Sequence, residues 1–267
     1  IIGLSNKSIK TKKSIYSNGL KKNVNKISFY LTANSDSFVY KRNSPLSDFP
    51  LMVRGNEATD NGALLISKED RPLLVEVAPT SSKFIRKTIG SYEFLNDKEQ
   101  YCLWLNESDL KEAYKIDWIK DRIDTVKNFR LKSKKKATVK FAQKPWRYTG
   151  VRHIKSTSIL IPRVSSDRRE YIPFGYLSDD YIIKDSAYAI YDASLDIYSV
   201  LLSKLHINWV RVVAGKLKSD FRYSSNLCYN TFPFPNISKQ REEELTQCTL
   251  KIIDERLKHS EKTLAQL

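Results

Sequence analysis

Three charged residues alternate with apolar or small ones in Leu217-Lys218-Ser219-Asp220-Phe221-Arg222-Tyr223. In an extended chain successive side chains point to opposite faces, so Lys218, Asp220 and Arg222 would share one face. Leu217, Phe221 and Tyr223 would then pack beneath them. A lysine donates well to guanine O6 and N7, and a carboxylate accepts from the cytosine N4 amino group. Lys218 and Asp220 together therefore have the chemistry to read one G·C pair, with Arg222 on a neighbouring base or phosphate. The same spacing also suits an i, i+2 ion pair on a solvated surface.

Other chemistries find little support. The eight glycines stand at 3, 19, 55, 62, 90, 150, 175 and 215, so no G-x-G turn or P-loop is available for a dinucleotide or S-adenosylmethionine. No two of the nine prolines are adjacent, which excludes the Asn-Pro-Pro-Tyr type of loop that holds a flipped base. His153, His206 and His259 are about fifty residues apart, and Cys102, Cys228 and Cys248 lack zinc-site spacing. Asp97 with Asp109-Leu110-Lys111 superficially fits a nuclease string, but acids before an apolar-periodic run are ordinary helix-start residues. No catalytic residue, metal ligand or bound cofactor is assigned to the chain, and no small-molecule substrate is expected.

The positive charge is concentrated. The chain carries +16 overall, and residues 127–169 hold fourteen Lys or Arg against one acid, Asp167. Phe141, Trp146, Tyr148, Thr149, Ser156, Thr157 and Ser158 are interleaved with them. Lys/Arg and Ser/Thr mixtures bind phosphate backbones, with counterion release supplying much of the affinity. Lys132, Lys134, Lys135, Lys136, Lys140, Arg163, Arg168 and Arg169 are the candidate phosphate contacts. A lysine-rich helix can also be a solvated face. The bias runs on through a Pro/Gly break into strand-like sequence, which a single helix face would not do. A membrane surface is disfavoured, because the apolar stripe beside the cations is thin and needed for a core.

The elements that must position these residues follow from periodicity. Asp60-Asn61-Gly62 predicts a tight turn, and Ser67 caps a short helix to Val77. A second short helix is expected from Thr80 to Ile89, ending at Gly90. Tyr101–Leu105 reads as a buried strand, and 107–142 as helix on the recurrence of Ile116, Ile119, Ile123 and Val126. Short strands are expected at Ile159–Ile161, Tyr171-Ile172 and Tyr181–Ile183, then helix over 194–213 closed by Gly215. Ile27–Leu31 reads as a strand, and 238–266 as one helix, acidic at its start and basic near its end. Apolar residues are 41% and aromatics 11%, enough for a real core. The expected fold class is α+β, with a largely antiparallel sheet packed by helices and a C-terminal helix starting a helical region.

Longer strings carry a resemblance. Leu205-His206, Trp209-Val210-Arg211, Val213, Gly215 and Leu217-Lys218-Ser219-Asp220 run on through Arg222-Tyr223-Ser224 to Tyr229-Asn230 and Phe232-Pro233. Upstream, in order, stand Phe49-Pro50-Leu51-Met52-Val53, Tyr101–Leu105, Phe129-Arg130-Leu131, Ile161-Pro162 and Tyr171-Ile172-Pro173. The whole resembles the target-recognition domain of the MmeI-like (type IIG/IIL) enzymes, fused restriction–modification proteins that methylate adenine in DNA. The resemblance implies a linker over 1–29, a recognition domain over 30–237 and the start of a helical region over 238–267. It implies double-stranded DNA and an upstream methyltransferase domain as partners, and S-adenosylmethionine as the cofactor of that other domain. A bacterial cytoplasmic setting follows, with no membrane partner. The opening Ile1-Ile2-Gly3-Leu4, without an initiator Met, suggests a piece of a longer polypeptide. Two other function classes compete: a self-sufficient metal-dependent nuclease or transferase, and a single-strand or RNA binder. The second would stack bases on Trp104, Trp118, Trp146 or Trp209, of which Trp104 and Trp209 lie in apolar runs and only Trp146, with Tyr148, has basic surroundings.

Overall fold

A computed structural model describes residues 13–28, 33, 38–264 and 266. The chain begins with an exposed hairpin, β1 (Lys13–Ser17) and β2 (Leu20–Val24), turned at Asn18-Gly19. Of the strand expected over 27–31, Phe29, Tyr30 and Leu31 lie outside the described residues. The chain then alternates between two sheets. β3 (Met52–Arg54) joins one; β4 (Leu65–Ser67), β5 (Ile85–Ile89) and β6 (Gln100–Leu103) join the other. Asp60-Asn61-Gly62 makes the expected turn between β3 and β4. Asn61 and Gly62 both take positive φ, and the buried Asp60 carboxylate accepts from the N–H groups of Gly62 and Leu64.

The Ser67 hydroxyl accepts from the Asp70 N–H at the start of α1 (Asp70–Val77). The helix expected over 80–89 does not form. A 3₁₀ turn spans Pro79–Phe84, and Ile85-Arg86-Lys87-Thr88-Ile89 becomes β5. Ile85 and Ile89 with Thr88 are suited to a half-buried strand, and pairing with both β6 and β10 (Tyr181–Ile183) overrides the local helical pattern. β5 with β10 is the one parallel pair among the described strands. α2 (Ser91–Leu95) follows β5.

The helical region over 107–142 breaks into pieces: α3 (Leu110–Ala113), α4 (Asp117–Leu131) and α5 (Lys136–Lys140), with 3₁₀ turns at either end. Only α4 is long. Its Ile119, Ile123 and Val126 share a buried cluster with Phe84 of the 3₁₀ turn, Leu103 of β6 and Ile182 of β10.

The other sheet has the order β3, β11 (Ala187–Tyr191), β7 (Ser158–Pro162), β9 (Gly175–Leu177), all antiparallel. Tyr171-Ile172 is not a strand; the strands lie on either side of it, β9 paired with β7 and Val164–Ser165 (β8) in a separate sheet. Helix 194–213 is two helices, α6 (Leu195–Leu202) and α7 (Lys204–Val213), split at Ser203, whose extended backbone caps α7 through its hydroxyl. Both pack their apolar faces on this sheet together with Phe221, Tyr223, Tyr229, Phe232 and Phe234. The two sheets meet at Gly55-Asn56. A Cβ on Gly55 would collide with the Lys184 carbonyl, so only glycine allows that approach. The buried Asn56 amide then donates to the Ile183 carbonyl and accepts from the N–H groups of Arg152 and His153. A third, three-stranded sheet joins β12 (Gly215–Leu217), β13 (Asp220–Arg222) and β8. α8 (Lys239–Lys258) lies along α6: Thr249 shares a hydrogen bond with Ser199 at 2.7 Å, and Arg256 donates to the Phe174 carbonyl and the Tyr198 hydroxyl.

Candidate nucleic-acid interface

The segment 217–223 is not one extended strand. It is a hairpin in which Leu217 pairs with Asp220 and Lys218-Ser219 forms the loop. Lys218 sits at φ +57°, a conformation that costs a side-chain-bearing residue about 1–2 kcal/mol. Beyond the loop the expected alternation is present: Phe221 and Tyr223 are buried, Asp220 is half-buried and Arg222 exposed. The expectation that Leu217 packs on the core is corrected. It is 52% exposed, because the hairpin turns β12 away from the core face. Residues directly opposite in an antiparallel pair share a face, so Leu217, Asp220 and Arg222 lie together on the outer side. On the inner side the Lys216 ammonium lies 3.6 Å from the Phe221 ring centroid and donates to the Ser219 carbonyl, which braces the loop.

β8 brings a second set of cations to this hairpin. Val164 pairs with Arg222 and Ser165 with Phe221, and the Tyr223 N–H donates to the Arg163 carbonyl. Arg168 is exposed and Arg169 half-buried in the loop that leaves β8. A Glu170–Lys204 ion pair ties that loop to the start of α7. Arg163 is partly engaged: its guanidinium donates to the Asp185 carbonyl at 3.0 Å and lies over the Tyr188 ring. The small sheet thus sets Asp220 and Arg222, with Lys218 at the loop, beside Val164 and Ser165. Arg163 precedes β8 with its guanidinium turned to Asp185 and Tyr188, and Arg168 and Arg169 lie in the loop that leaves β8. Lys132, Lys134, Lys135, Lys136 and Lys140 lie elsewhere; they are exposed around the α4–α5 junction, beside the other core. Among the described residues none of those five lysines forms an ion pair.

Arg130 differs in role from the surface cations around it in sequence. It is fully buried, and its guanidinium donates to five backbone carbonyls: Ala58, Thr59, Phe141, Lys144 and Arg147, at 2.7–3.1 Å. Every guanidinium N–H has an acceptor, the condition for burying this charge. Burial lowers its pKa, partly offset by nearby Asp60. The signal was present in the sequence: Ile119, Ile123 and Val126 define a stripe whose next position is 130. Arg130 thereby locks the loop carrying Lys144, Trp146 and Arg147 onto the β3–β4 connection.

Several other polar groups are held inside the scaffold. His206 is fully buried, its Nε2 sharing a hydrogen bond with the Tyr223 hydroxyl at 3.0 Å, and burial pushes its pKa down to about 3. Burial pushes the Cys102 thiol up to about 12 and lowers the pKa of His153. The Asp109 carboxylate accepts from the Asn106 N–H at a helix start, its expected place. Among the described residues no group of three His, Cys, Asp or Glu is arranged to hold a metal ion, and no helix is long and apolar enough to cross a membrane. Trp104 and Trp209 are half-buried against the two cores. Tyr148 is buried, so its expected availability for stacking is corrected; Trp146 stays half-exposed.

Comparison with known proteins adds to this geometry. A family model described as "MmeI, target recognition domain" matches residues 33–236. DNA methyltransferase A of Bacillus subtilis (strain 168) is 39% identical over 267 residues, which is all of this chain and 30% of that protein. The solved structure of the type IIL restriction-modification enzyme MmeI in complex with DNA matches with a TM-score of 0.87 and 32% identity. That match covers 92% of this chain and 33% of the MmeI chain. The chain thus spans about a third of the length of each relative.

Proposed function

Because the chain belongs to the family of MmeI target recognition domains, we propose that it selects the DNA sequence at which a larger methyltransferase acts. The observation that carries this reading is the small β12–β13–β8 sheet. It presents Asp220 and Arg222 on one outer face and Lys218 at the loop, with Arg163 preceding and Arg168 and Arg169 following its third strand, β8. An acid facing phosphates would be repelled, so Asp220 suits a base edge better than a backbone. Lys218 and Asp220 read one G·C pair, Lys218 donating to guanine O6 and N7 and Asp220 accepting from cytosine N4. Arg222 reaches a neighbouring base or phosphate. Lys132, Lys134, Lys135, Lys136 and Lys140 with Arg163, Arg168 and Arg169 supply sequence-independent attraction to the phosphates.

The chemistry belongs to the rest of the polypeptide. An adenine-N6 methyltransferase domain, using S-adenosylmethionine, transfers the methyl group in a bacterial cytoplasm, with or without a fused endonuclease. The 30% share of the Bacillus protein supports a parent of that size.

The test exchanges the charges, Lys218→Glu with Asp220→Arg, in the full-length methyltransferase and maps methylated sites across a genome. The expected result is a change from G to C at one position of the recognised sequence, each good base contact contributing about 1–3 kcal/mol of discrimination. Unchanged specificity with normal activity would remove both residues from the readout.

A further inference from the structure

Trp146 stands between the basic segment and a cleft of about 230 Å³ that the recognition surface does not use. Its lining includes Trp104, Asn106, Glu107, Lys144, Trp146 and Arg147. Cavities for drug-sized ligands begin at about 300 Å³, so this one suits a single small ring system and not a whole dinucleotide. Both tryptophans are half-buried. Among the described residues neither indole N–H makes a hydrogen bond, and neither is sealed from solvent. The Trp104 ring already packs against Tyr148 at 4.9 Å and His153 at 5.8 Å, so Trp146 supplies the stacking face and the two indoles supply two unused donors. Glu107 pairs with Lys144 at 3.2 Å, its side chain 74% exposed, which leaves carboxylate lone pairs for another donor. Arg147 is exposed; its backbone N–H donates to the Lys144 carbonyl and its carbonyl accepts from Arg130, while its guanidinium makes no hydrogen bond among the described residues. That arginine clamp fixes the backbone at Lys144 and Arg147, so the wall bearing Trp146 is held in place before any ligand arrives.

From these residues we infer that the Trp104–Trp146 cleft is a binding site for one unstacked, amino-bearing nucleobase with its 5′-phosphate, presented by DNA or as a free nucleotide. The ring stacks on the Trp146 indole, which tolerates any base, with the edge of Trp104 beside it. Glu107 accepts from the exocyclic amine, and Arg147 holds the phosphate. The DNA form of the inference rests on the recognition function proposed above; the free-nucleotide form stands without it.

The experiment follows tryptophan emission of the 267-residue chain during titration with dAMP, deoxyadenosine and thymidine 5′-monophosphate. In parallel, affinity is measured for a fully paired duplex and for the same duplex with one bulged adenine. Saturable quenching by dAMP is expected, about tenfold tighter than by thymidine 5′-monophosphate, which lacks the amine. Trp146→Ala should weaken dAMP binding about tenfold. Arg147→Gln, at an exposed side chain, should erase the preference for dAMP over deoxyadenosine and serves if the tryptophan variant fails to fold. Tighter binding of the bulged duplex, cancelled by Trp146→Ala while paired-duplex affinity is unchanged, assigns the site to DNA. Quenching by dAMP with no effect of the bulge assigns it to free nucleotides. No saturable quenching together with equal affinity for the two duplexes overturns the inference. Quenching by dAMP in a chain that binds no paired duplex overturns the recognition function and leaves the cleft standing.

Discussion

Single residues carry two separable kinds of work here. Arg130 and His206 hold the scaffold, while Lys218 is held by it. If Arg130 is replaced, the Ala58, Thr59 and Arg147 carbonyls lose their donors together, while those of Phe141 and Lys144 keep a backbone N–H, and each buried unsatisfied carbonyl costs about 1–3 kcal/mol. Arg130→Met should therefore lower the unfolding free energy in urea by at least about 3 kcal/mol; a loss under about 1 kcal/mol would show that the clamp is dispensable. His206 is buried neutral, with its pKa pushed from 6.5 to about 3. Its stabilising contribution is complete above about pH 6.5 and is lost as pH falls from there toward 3, because the unfolded chain takes up the proton first. The slope from this one group is at most about 1.4 kcal/mol per pH unit. His206→Gln should flatten the fall in denaturation midpoint between pH 6 and 4.5, and an unaltered slope would contradict the assignment. Lys218 sits at φ +57°, where glycine is comfortable. Backbone strain at a loop apex is tolerated where the side chain is needed. Lys218→Gly should leave the melting temperature equal or higher while methylation loses its preference at one position; a lower melting temperature would mean that the lysine is structural.

At the scale of elements, the lysines at the α4–α5 junction separate attraction from readout. Neutralising Lys134, Lys135 and Lys136 to Gln should weaken duplex binding to all sequences alike. The log–log salt dependence should become shallower by about 0.9 for each phosphate that is no longer neutralised. An unchanged slope would make this run a solvated face. How far these elements were legible in the sequence depended on whether the local pattern agreed with the tertiary partner. α4 was legible because its stripe of Ile119, Ile123 and Val126 faces one sheet, β6 and β7 because their apolar runs are central, and β10, an edge strand, because Ile182 and Ile183 are buried. β5 was not: Thr80–Ile89 has a helix-compatible pattern, and only pairing on both sides with β6 and β10 makes it a strand. The Lys218-Ser219 loop was hidden for a related reason. It lacks the Gly or Asn that marks a two-residue hairpin, so the charge alternation read as one continuous strand. Of the candidate site, the alternation over Asp220, Phe221, Arg222 and Tyr223 was legible. The joining of Arg163 to it was not, because the β8–β13 pairing spans more than fifty residues of sequence.

For the whole molecule, a net charge of +16 is divided between two uses. Arg130 and Arg152 direct their guanidinium groups to backbone carbonyls that fasten loops to the two sheets, and Arg163 gives part of its guanidinium to the Asp185 carbonyl. The exposed lysines around α5 and the arginines beside the small sheet remain for a polyanion. Such a division suits a rigid reader that positions itself by phosphates and discriminates through a few side chains. The central claim is that this chain, and not the remainder of its polypeptide, chooses the sequence. It is tested most directly by replacing the matching segment of Bacillus subtilis DNA methyltransferase A with residues 33–236 of this chain and mapping where the hybrid methylates DNA. Methylation is expected to persist and to move to a different recognition sequence, one position of which then follows the Lys218→Glu, Asp220→Arg exchange. An active hybrid that methylates only the sites of the Bacillus enzyme would contradict the claim.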